Sequence, residues 1–197
     1  LIDTSCCATA ELVYKLIKEI NHPISKPVAL CIYTGILTDT GSFRFSNTNR
    51  AAFKICEEMM AIGVEPHRVA QNVYGTYSLN RLKLLNYVLD SLEVSKDGKL
   101  AIITVTRDML KKTGTGSEDI DGFINYPRSI EGVSVAALIQ EVSPNTYHIS
   151  LRSKEMIDVA AIARQFGGGG HFNASGFSIK GKLPEVKQKL IQQISAL

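Results

Sequence analysis

The chain has 197 residues, of which 45% are hydrophobic and 21% are charged, and its formal net charge is +3 at pH 7. This composition is typical of a soluble globular protein, and no apolar run approaches the ~18–20 residues that a membrane span needs. Residues 1–7 lack the basic start and apolar stretch of a signal peptide, so we expect a cytoplasmic protein with no membrane association. The small positive charge is compatible with an anionic substrate that a few local cations bind, but it does not establish a nucleic-acid partner.

The four cysteines argue against a zinc site. None forms a Cys-x-x-Cys pair, and a disulfide framework is not expected in a chain of this length. We expect buried, reduced thiols.

Helical spacing of apolar residues dominates the first part of the chain. Ser5 is a candidate cap for a first helix whose apolar positions are Leu12, Leu16, Ile17 and Ile20. Further helices are predicted over 49–62, 66–73 and 79–92. The apolar run Val28–Tyr33 fits either a buried strand or a helix, and a polar loop over 38–42 follows it.

Strands become frequent after residue 92. The predicted elements are a turn at 95–99 before a strand at 100–106, a helix at 108–112, paired strands at 133–141 and 147–153, a helix at 159–166, a strand at 172–180 and a helix at 184–197. Strands that alternate with helices predict two α/β domains, which we place at 1–92 and 93–197.

The segment Gly167–His171 is the most informative motif. Four successive glycines cost backbone entropy when they are ordered, so we attribute them to left-handed turns or to a close approach of the main chain to a ligand rather than to packing. Unobstructed amides in such a loop form a concave site suited to phosphate, and His171 could donate a hydrogen bond to a phosphoryl oxygen or protonate a leaving group. The alternative is a flexible linker, which the flanking helix and Phe172 and Phe177 disfavour.

A second candidate lies on the strand 147–153. Alternation places His148, Ser150 and Arg152 on one face and Tyr147, Ile149 and Leu151 on the other. The Arg152 guanidinium is suited to bidentate phosphate binding, and a solvated edge strand is the alternative. For His148 we favour a structural role.

A third candidate is Asp39, which sits between two threonines and beside glycines in the segment 33–43. Its carboxylate could bind a hard metal ion or cap a helix. One aspartate does not make a metal site.

Together these segments resemble the DHH family of phosphoesterases, in particular its members that carry a DHHA1 domain. The Gly167–Phe177 segment looks like the DHHA1 signature, Ser150–Lys154 matches the preceding strand, 123–133 is typical of the oligoribonuclease branch, and 35–43 resembles the fourth metal-binding motif of the DHH domain. The resemblance implies the end of a Rossmann-like DHH domain, joined by a helical linker to a DHHA1 α/β domain with a mixed sheet.

For the complete enzyme, the resemblance implies two Mn²⁺ ions that activate a water for attack on phosphorus, with Asp39 as a metal ligand and as a catalytic residue together with His171. It implies that the substrate is held by Arg128, Arg152, Ser153, the 168–170 amides and His171. The expected substrates are short RNA or 3′-phosphoadenosine 5′-phosphate.

The Asp-His-His sequence that names the family does not occur in the chain. We therefore expect a carboxy-terminal fragment whose first three metal motifs lie before Leu1, which is inactive or nearly so even with added manganese. Self-association into a homodimer through the surface so exposed is a hypothesis.

Alternative functions stay open at this point. The chain could be a non-catalytic module that binds a nucleotide or single-stranded nucleic acid, or it could come from a family member that acts on polyphosphate, pyrophosphate or cyclic dinucleotides. Tyr126 and Phe172 could stack on a base, although we expect core packing for both.

Overall fold

The computed structural model describes Asp3, residues 5–154 and residues 157–194. It divides into two compact units, Leu1–Thr76 and Tyr77–Leu197. This division differs from the predicted boundary between residues 92 and 93. The difference arises because the helix over Leu79–Asp90 packs in the second unit, where Leu84 and Val88 are fully buried.

The described part of the first unit is helical and contains no strand. Its helices are α1 (Thr9–Glu19), α2 (Lys26–Asp39), α3 (Arg50–Ala61) and α4 (Pro66–Tyr74). The ambiguous run 28–33 is therefore part of a helix, and Ile32, Tyr33 and Ile36 of α2 face the core of this unit. The expected α/β character of this part of the chain is wrong for the residues that the structure describes.

The first helix begins later than predicted. Ser5 does not cap it, because its hydroxyl donates instead to Oδ1 of Asp3, 2.6 Å away. The helix starts after Ala8, and the predicted apolar positions Leu16 and Ile20 are exposed.

Glu11 of α1 is a buried carboxylate that joins three segments of the first unit. Its Oε2 accepts the Cys7 N–H at 2.8 Å and an Asn49 side-chain N–H at 3.1 Å, and its Oε1 lies 2.9 Å from Nζ of Lys15. Asn49 also caps α3 by accepting the N–H of Ala52. Glu11 thus ties the segment before α1 to the start of α3.

The thiols are free, as expected, but they are not all buried. Cys7 and Cys56 are buried, Cys6 is half-buried and Cys31 is exposed on α2. Burial raises the pKa of Cys7 to about 12 and the pKa of Cys56 to about 11, which makes both thiols weak nucleophiles at neutral pH.

The second unit is α/β. It contains α5 (Leu79–Asp90), β1 (Glu93–Val94), β2 (Leu100–Val105), α6 (Arg107–Thr113), a 3₁₀ turn (Ser117–Ile120), α7 (Asn125–Ser129), β3 (Val135–Ser143), β4 (Thr146–Ser153), α8 (Val159–Gln165), β5 (Gly169–His171), β6 (Ala174–Lys180) and α9 (Leu183–Ile194). The predicted strands and helices of this region are confirmed, apart from the glycine run, which contributes the short strand β5 rather than a loop. Residues 195–197 of the predicted last helix lie outside the described residues.

The strands form one mixed sheet in the order β1-β2-β3-β4-β6-β5. β2 and β3 are parallel, and the other neighbouring pairs are antiparallel. The mixed sheet predicted for this domain is confirmed. The predicted pair of strands is joined by a turn with Asn145 in the left-handed region at φ 56°.

The two faces of the sheet are covered differently. On one face, α8 and α9 pack over β2, β3, β4 and β6 and form the larger core of the unit. On the other, α5, the 3₁₀ turn and the segment leading into α7 pack over β2 and β3. No described residue of β4, β5 or β6 joins that second core, so this part of the sheet is the candidate site. We call it the open face.

Among the residues that the structure describes, no helix combines the length and the apolar composition required to span a membrane.

Glu11 predicts a specific acid dependence of stability. Burial acts to raise the pKa of Glu11, but its hydrogen bonds from Cys7, Lys15 and Asn49 lower it to about 2, below the ordinary 4.5. The resulting stabilisation is complete above about pH 4.5 and is lost as the pH falls towards 2. We expect Glu11→Gln to lower the free energy of unfolding at pH 7 by about 1–3 kcal/mol, with a smaller difference at pH 3.

Urea denaturation of both proteins at the two pH values measures this difference. Glu19→Gln, an exposed change on the same helix, is the matched control. A destabilisation by Glu11→Gln that is the same at both pH values would contradict the assignment.

Candidate functional site

The open face carries two cross-strand rows of side chains beside the glycine run. In antiparallel strands, paired residues point to the same side of the sheet, so each row can be read from the register. In the order β4, β6, β5, the first row is Arg152, Ala174 and His171, and the second is Ser150, Gly176 and Gly169. The predicted alternation of β4 is confirmed, since Tyr147, Ile149 and Leu151 are buried on the opposite side.

The register therefore brings Arg152 and His171 to one face, two strands apart. Strands are spaced about 4.8 Å apart, which puts the two Cα atoms about 10 Å from each other. Ala174, which contributes only a methyl group, lies between them in this row. Two long polar side chains over a small residue leave room for a ligand.

Arg152 is half-buried in a cationic environment. Its Nη1 donates to the Leu151 carbonyl at 3.0 Å, which orients the guanidinium. Burial lowers the pKa of Arg152, the positive charge of Arg128 lowers it further, and Asp121 opposes both effects. The positive charges of Arg128 and Arg152 favour an anion in their neighbourhood.

Arg128 reaches this environment from α7, which contacts β3 and β4. The preceding segment is fixed by Arg81 of α5, whose guanidinium lies 4.3 Å from the ring centroid of Tyr77 and 5.0 Å from that of Phe123 and donates to the Asp121 carbonyl. On the other side of α7, Nζ of Lys154 donates to the Ile130 carbonyl at 2.9 Å.

Arg81 and Asp121 were not predicted from the sequence as part of this region. Their contact spans 40 residues of the chain and belongs to no motif, so no local pattern signals it.

Glycine is required at positions 167, 168 and 170 for different structural reasons. Gly167 adopts φ 74° two residues after the end of α8. A Cβ on Gly168 would lie 2.3 Å from the Gly176 carbonyl oxygen, and one on Gly170 would lie 2.5 Å from that of Ala174. Packing against β6 therefore does require glycine at 168 and 170, and the prediction that packing plays no part is wrong.

Gly169 is the exception. Nothing lies within 4 Å of where its Cβ would be, and its φ is not in the left-handed region. It lies on the open face in the row of Ser150 and Gly176. Neither packing nor backbone conformation requires a glycine at this position, so close approach by a ligand stays a prediction.

Two predicted phosphate contacts are wrong. The Gly168 amide donates to the Ala163 carbonyl at 2.9 Å, because it closes the last turn of α8, and so it is already engaged. Ser153 is buried on the opposite face of β4, where its hydroxyl donates to the Ile157 carbonyl at 2.7 Å and accepts from Asn173 at 2.8 Å. The alternation that exposes Arg152 turns Ser153 inward.

His171 is exposed, and its side chain forms no hydrogen bond with any described residue. Tyr126 of α7 and Phe172, at the turn between β5 and β6, are 45% and 42% exposed, so the expectation that both pack in the core is wrong. Both rings can stack on a ligand.

Asp39 is exposed at the carboxyl end of α2, in the first unit. Gly41, Ser42 and Phe43 follow it with φ between 57° and 62°, an unusual left-handed run for non-glycine residues. Its carbonyl accepts from Asn47, which also donates to the Cys7 carbonyl. The local backbone is thus held in place around this carboxylate.

The donor set around Asp39 does not amount to a metal centre. In the described part of the chain, no three His, Cys, Asp or Glu side chains lie close enough together to hold a metal ion. A two-metal site requires several such ligands. The described residues do not fit the dinuclear manganese site that the resemblance implies, and Asp39 as a ligand stays a prediction.

Comparison with known proteins supports the interpretation of the second unit. The family model of the DHHA1 domain matches residues 97–196. The bifunctional oligoribonuclease and PAP phosphatase NrnA of Thermus thermophilus is 29% identical over 98% of this chain, and that of Bacillus subtilis is 29% identical over 90% of it. The chain spans 58% and 56% of the lengths of these two relatives.

A solved structure is also similar. The crystal structure of an exopolyphosphatase-related protein from Bacteroides fragilis superposes with a TM-score of 0.91, at 36% identity over 98% of this chain and 57% of that one.

The glycine geometry predicts opposite outcomes for two neighbouring substitutions. Gly170→Ala places a methyl group against the backbone of β6 at a φ of 140°, so we expect a loss of about 1–3 kcal/mol in the free energy of unfolding. Gly169→Ala meets no atom, and we expect a change within about 0.5 kcal/mol. Denaturation curves of the two variants test the contrast, and equal losses would contradict this explanation of the glycine run.

Proposed function

Because the chain belongs to the DHHA1-domain family of phosphoesterases, we propose that its second unit binds the terminal phosphate of a short RNA or of a phosphorylated nucleotide. The phosphate lies on the open face between Arg152 and His171, with Arg128 contributing positive charge. This unit is the substrate-binding part of a metal-dependent phosphoesterase.

The observation that carries this proposal is the row Arg152, Ala174 and His171, which brings a guanidinium and an imidazole to one face of the sheet on either side of a small residue. Burial and the positive charge of Arg128 lower the pKa of Arg152, and Asp121 acts in the opposite direction. A bound phosphate would accept charge-assisted hydrogen bonds from the Arg152 guanidinium. The first unit has as many acidic as basic side chains, so the formal charge of +3 also belongs to the second unit.

The names of the relatives support a proposal for the class of substrate. Two of them are named as oligoribonucleases and PAP phosphatases, which favours short RNA and 3′-phosphoadenosine 5′-phosphate. The similarity to the exopolyphosphatase-related protein of Bacteroides fragilis favours polyphosphate as a second candidate. The exposed rings of Tyr126 and Phe172 favour the nucleotide, because polyphosphate offers nothing for an aromatic ring to stack on.

Hydrolysis by the complete protein would use Mn²⁺, with Asp39 among its ligands. The described residues do not complete such a site, so the role that we propose for this chain is substrate binding. His171 is placed to donate a hydrogen bond to the phosphate from the open edge of the sheet. We propose that the protein acts in the cytoplasm, where short RNA substrates arise.

Calorimetric titration with 3′-phosphoadenosine 5′-phosphate, without added metal, tests the proposed site. We expect Arg152→Ala to weaken binding by about 1.5–3 kcal/mol, the range for a hydrogen bond to a charged group. His171→Ala should weaken it by about 0.5–1.5 kcal/mol, the range for a neutral hydrogen bond. Binding should also weaken as salt is added, because charge contributes to it.

Arg164→Ala is the matched control, since Arg164 is an exposed arginine of α8 that pairs with Asp158 at 3.2 Å. It should leave the affinity unchanged. Loss of affinity in the control equal to that in Arg152→Ala would mean that general charge, and not the open face, binds the nucleotide. Displacement of the nucleotide by tripolyphosphate at equal affinity would favour the second candidate.

A further inference from the structure

A third row runs from the end of β3 onto the open face and consists of polar side chains that belong neither to the phosphate site nor to the core. In the order β3, β4, β6, its members are Gln140, His148 and Ser178. Gln140 and His148 are half-exposed and Ser178 is exposed. Across the described residues, none of the three side chains has an intramolecular hydrogen bond.

The neighbouring row of the sheet contains two glycines, Gly169 and Gly176, which we call the glycine strip. Gly176 lies between the rows of Arg152 and His148, and Nε2 of His148 is only 3.3 Å from where a Cβ of Gly176 would be. The imidazole therefore leans over Gly176, and a side chain there would push it away. Gly169 pairs with Gly176 on the adjacent strand β5, and it too has no side chain to cover the sheet at this point.

The direction of β4 connects this strip to the phosphate site. His148 and Arg152 are four residues apart on one face of the strand, which corresponds to about 13 Å. A nucleotide held at Arg152 by its phosphate can extend its nucleoside along the glycine strip towards His148.

We propose that Gln140, His148 and Ser178 form a subsite that binds the hydrogen-bonding edge of the nucleobase. This rests on the proposed function, because it takes the phosphate to be bound at Arg152. An amide, a neutral imidazole and a hydroxyl each offer both a donor and an acceptor, as base edges do. A second phosphate would only accept hydrogen bonds and would meet no fixed positive charge in this row.

The chemistry of the row suggests a purine. The glutamine amide can donate and accept in parallel with N7 and the exocyclic amine of adenine. Gln140 and His148 are direct register partners, so the two side chains can contact one ring.

The test compares two probes that share a phosphate and a ribose and differ only in the base, adenosine 5′-monophosphate and ribose 5-phosphate. We expect His148→Ala and Gln140→Ala each to weaken adenosine 5′-monophosphate binding about five- to tenfold and to leave ribose 5-phosphate binding unchanged. Arg152→Ala should weaken the binding of both. His67→Ala, an exposed histidine of α4, should change neither.

The outcomes separate this proposal from the one on which it rests. If His148→Ala and Gln140→Ala leave both affinities unchanged while Arg152→Ala lowers both, the phosphate site stands and the base subsite is wrong. An equal loss for both probes in the His148 and Gln140 variants would also overturn base recognition. Failure of the wild-type chain to bind either probe would overturn the proposed function and the subsite with it.

Thermal unfolding of each variant checks that the fold is retained. If His148→Ala unfolds, His148→Leu and Gln140→Ala carry the same comparison, since both also remove the polar groups of the row.

Discussion

Strand β4 is the constraint on which the second unit depends. Its inward residues Tyr147, Ile149 and Leu151 are fixed in the main core beneath α8 and α9, so its register cannot slip without exposing them. Because side chains alternate, the same register fixes His148, Ser150 and Arg152 on the open face. The burial that stabilises the sheet thereby determines which side chains are available to a ligand.

The hairpin of β5 and β6 completes that arrangement through steric fit. Glycine at 168 and 170 lets the run lie against β6 at distances that a Cβ would prevent. This close packing carries His171 to the row of Arg152, while Gly169 and Gly176 leave the sheet between the rows bare. The main role of the glycine run is thus to position the short strand β5. The run need not be a flexible loop that wraps around a phosphate.

Most of the secondary structure of the second unit could be predicted from the sequence, and the features that could not be predicted have physical reasons. The alternation of β4, the hairpin turn at Asn145 and the helices that start at prolines or after Asn49 follow from local periodicity and capping. Predictions failed where tertiary contacts determine which polar groups are free to bind a ligand. The Gly168 amide donates to a carbonyl of the last turn of α8, and the Ser153 hydroxyl is already hydrogen-bonded on the buried side of the sheet. The Arg81 stack joins residues that are distant in the chain, so no local pattern could reveal it.

The open face around Arg152 and His171 is where we place the phosphate of a nucleotide. A crystal structure of this chain with 3′-phosphoadenosine 5′-phosphate tests this placement most directly. We expect a phosphate oxygen within hydrogen-bond distance of the Arg152 guanidinium, with the nucleoside lying over Gly169 and Gly176. A nucleotide bound elsewhere on the chain, with the open face left to solvent, would contradict it.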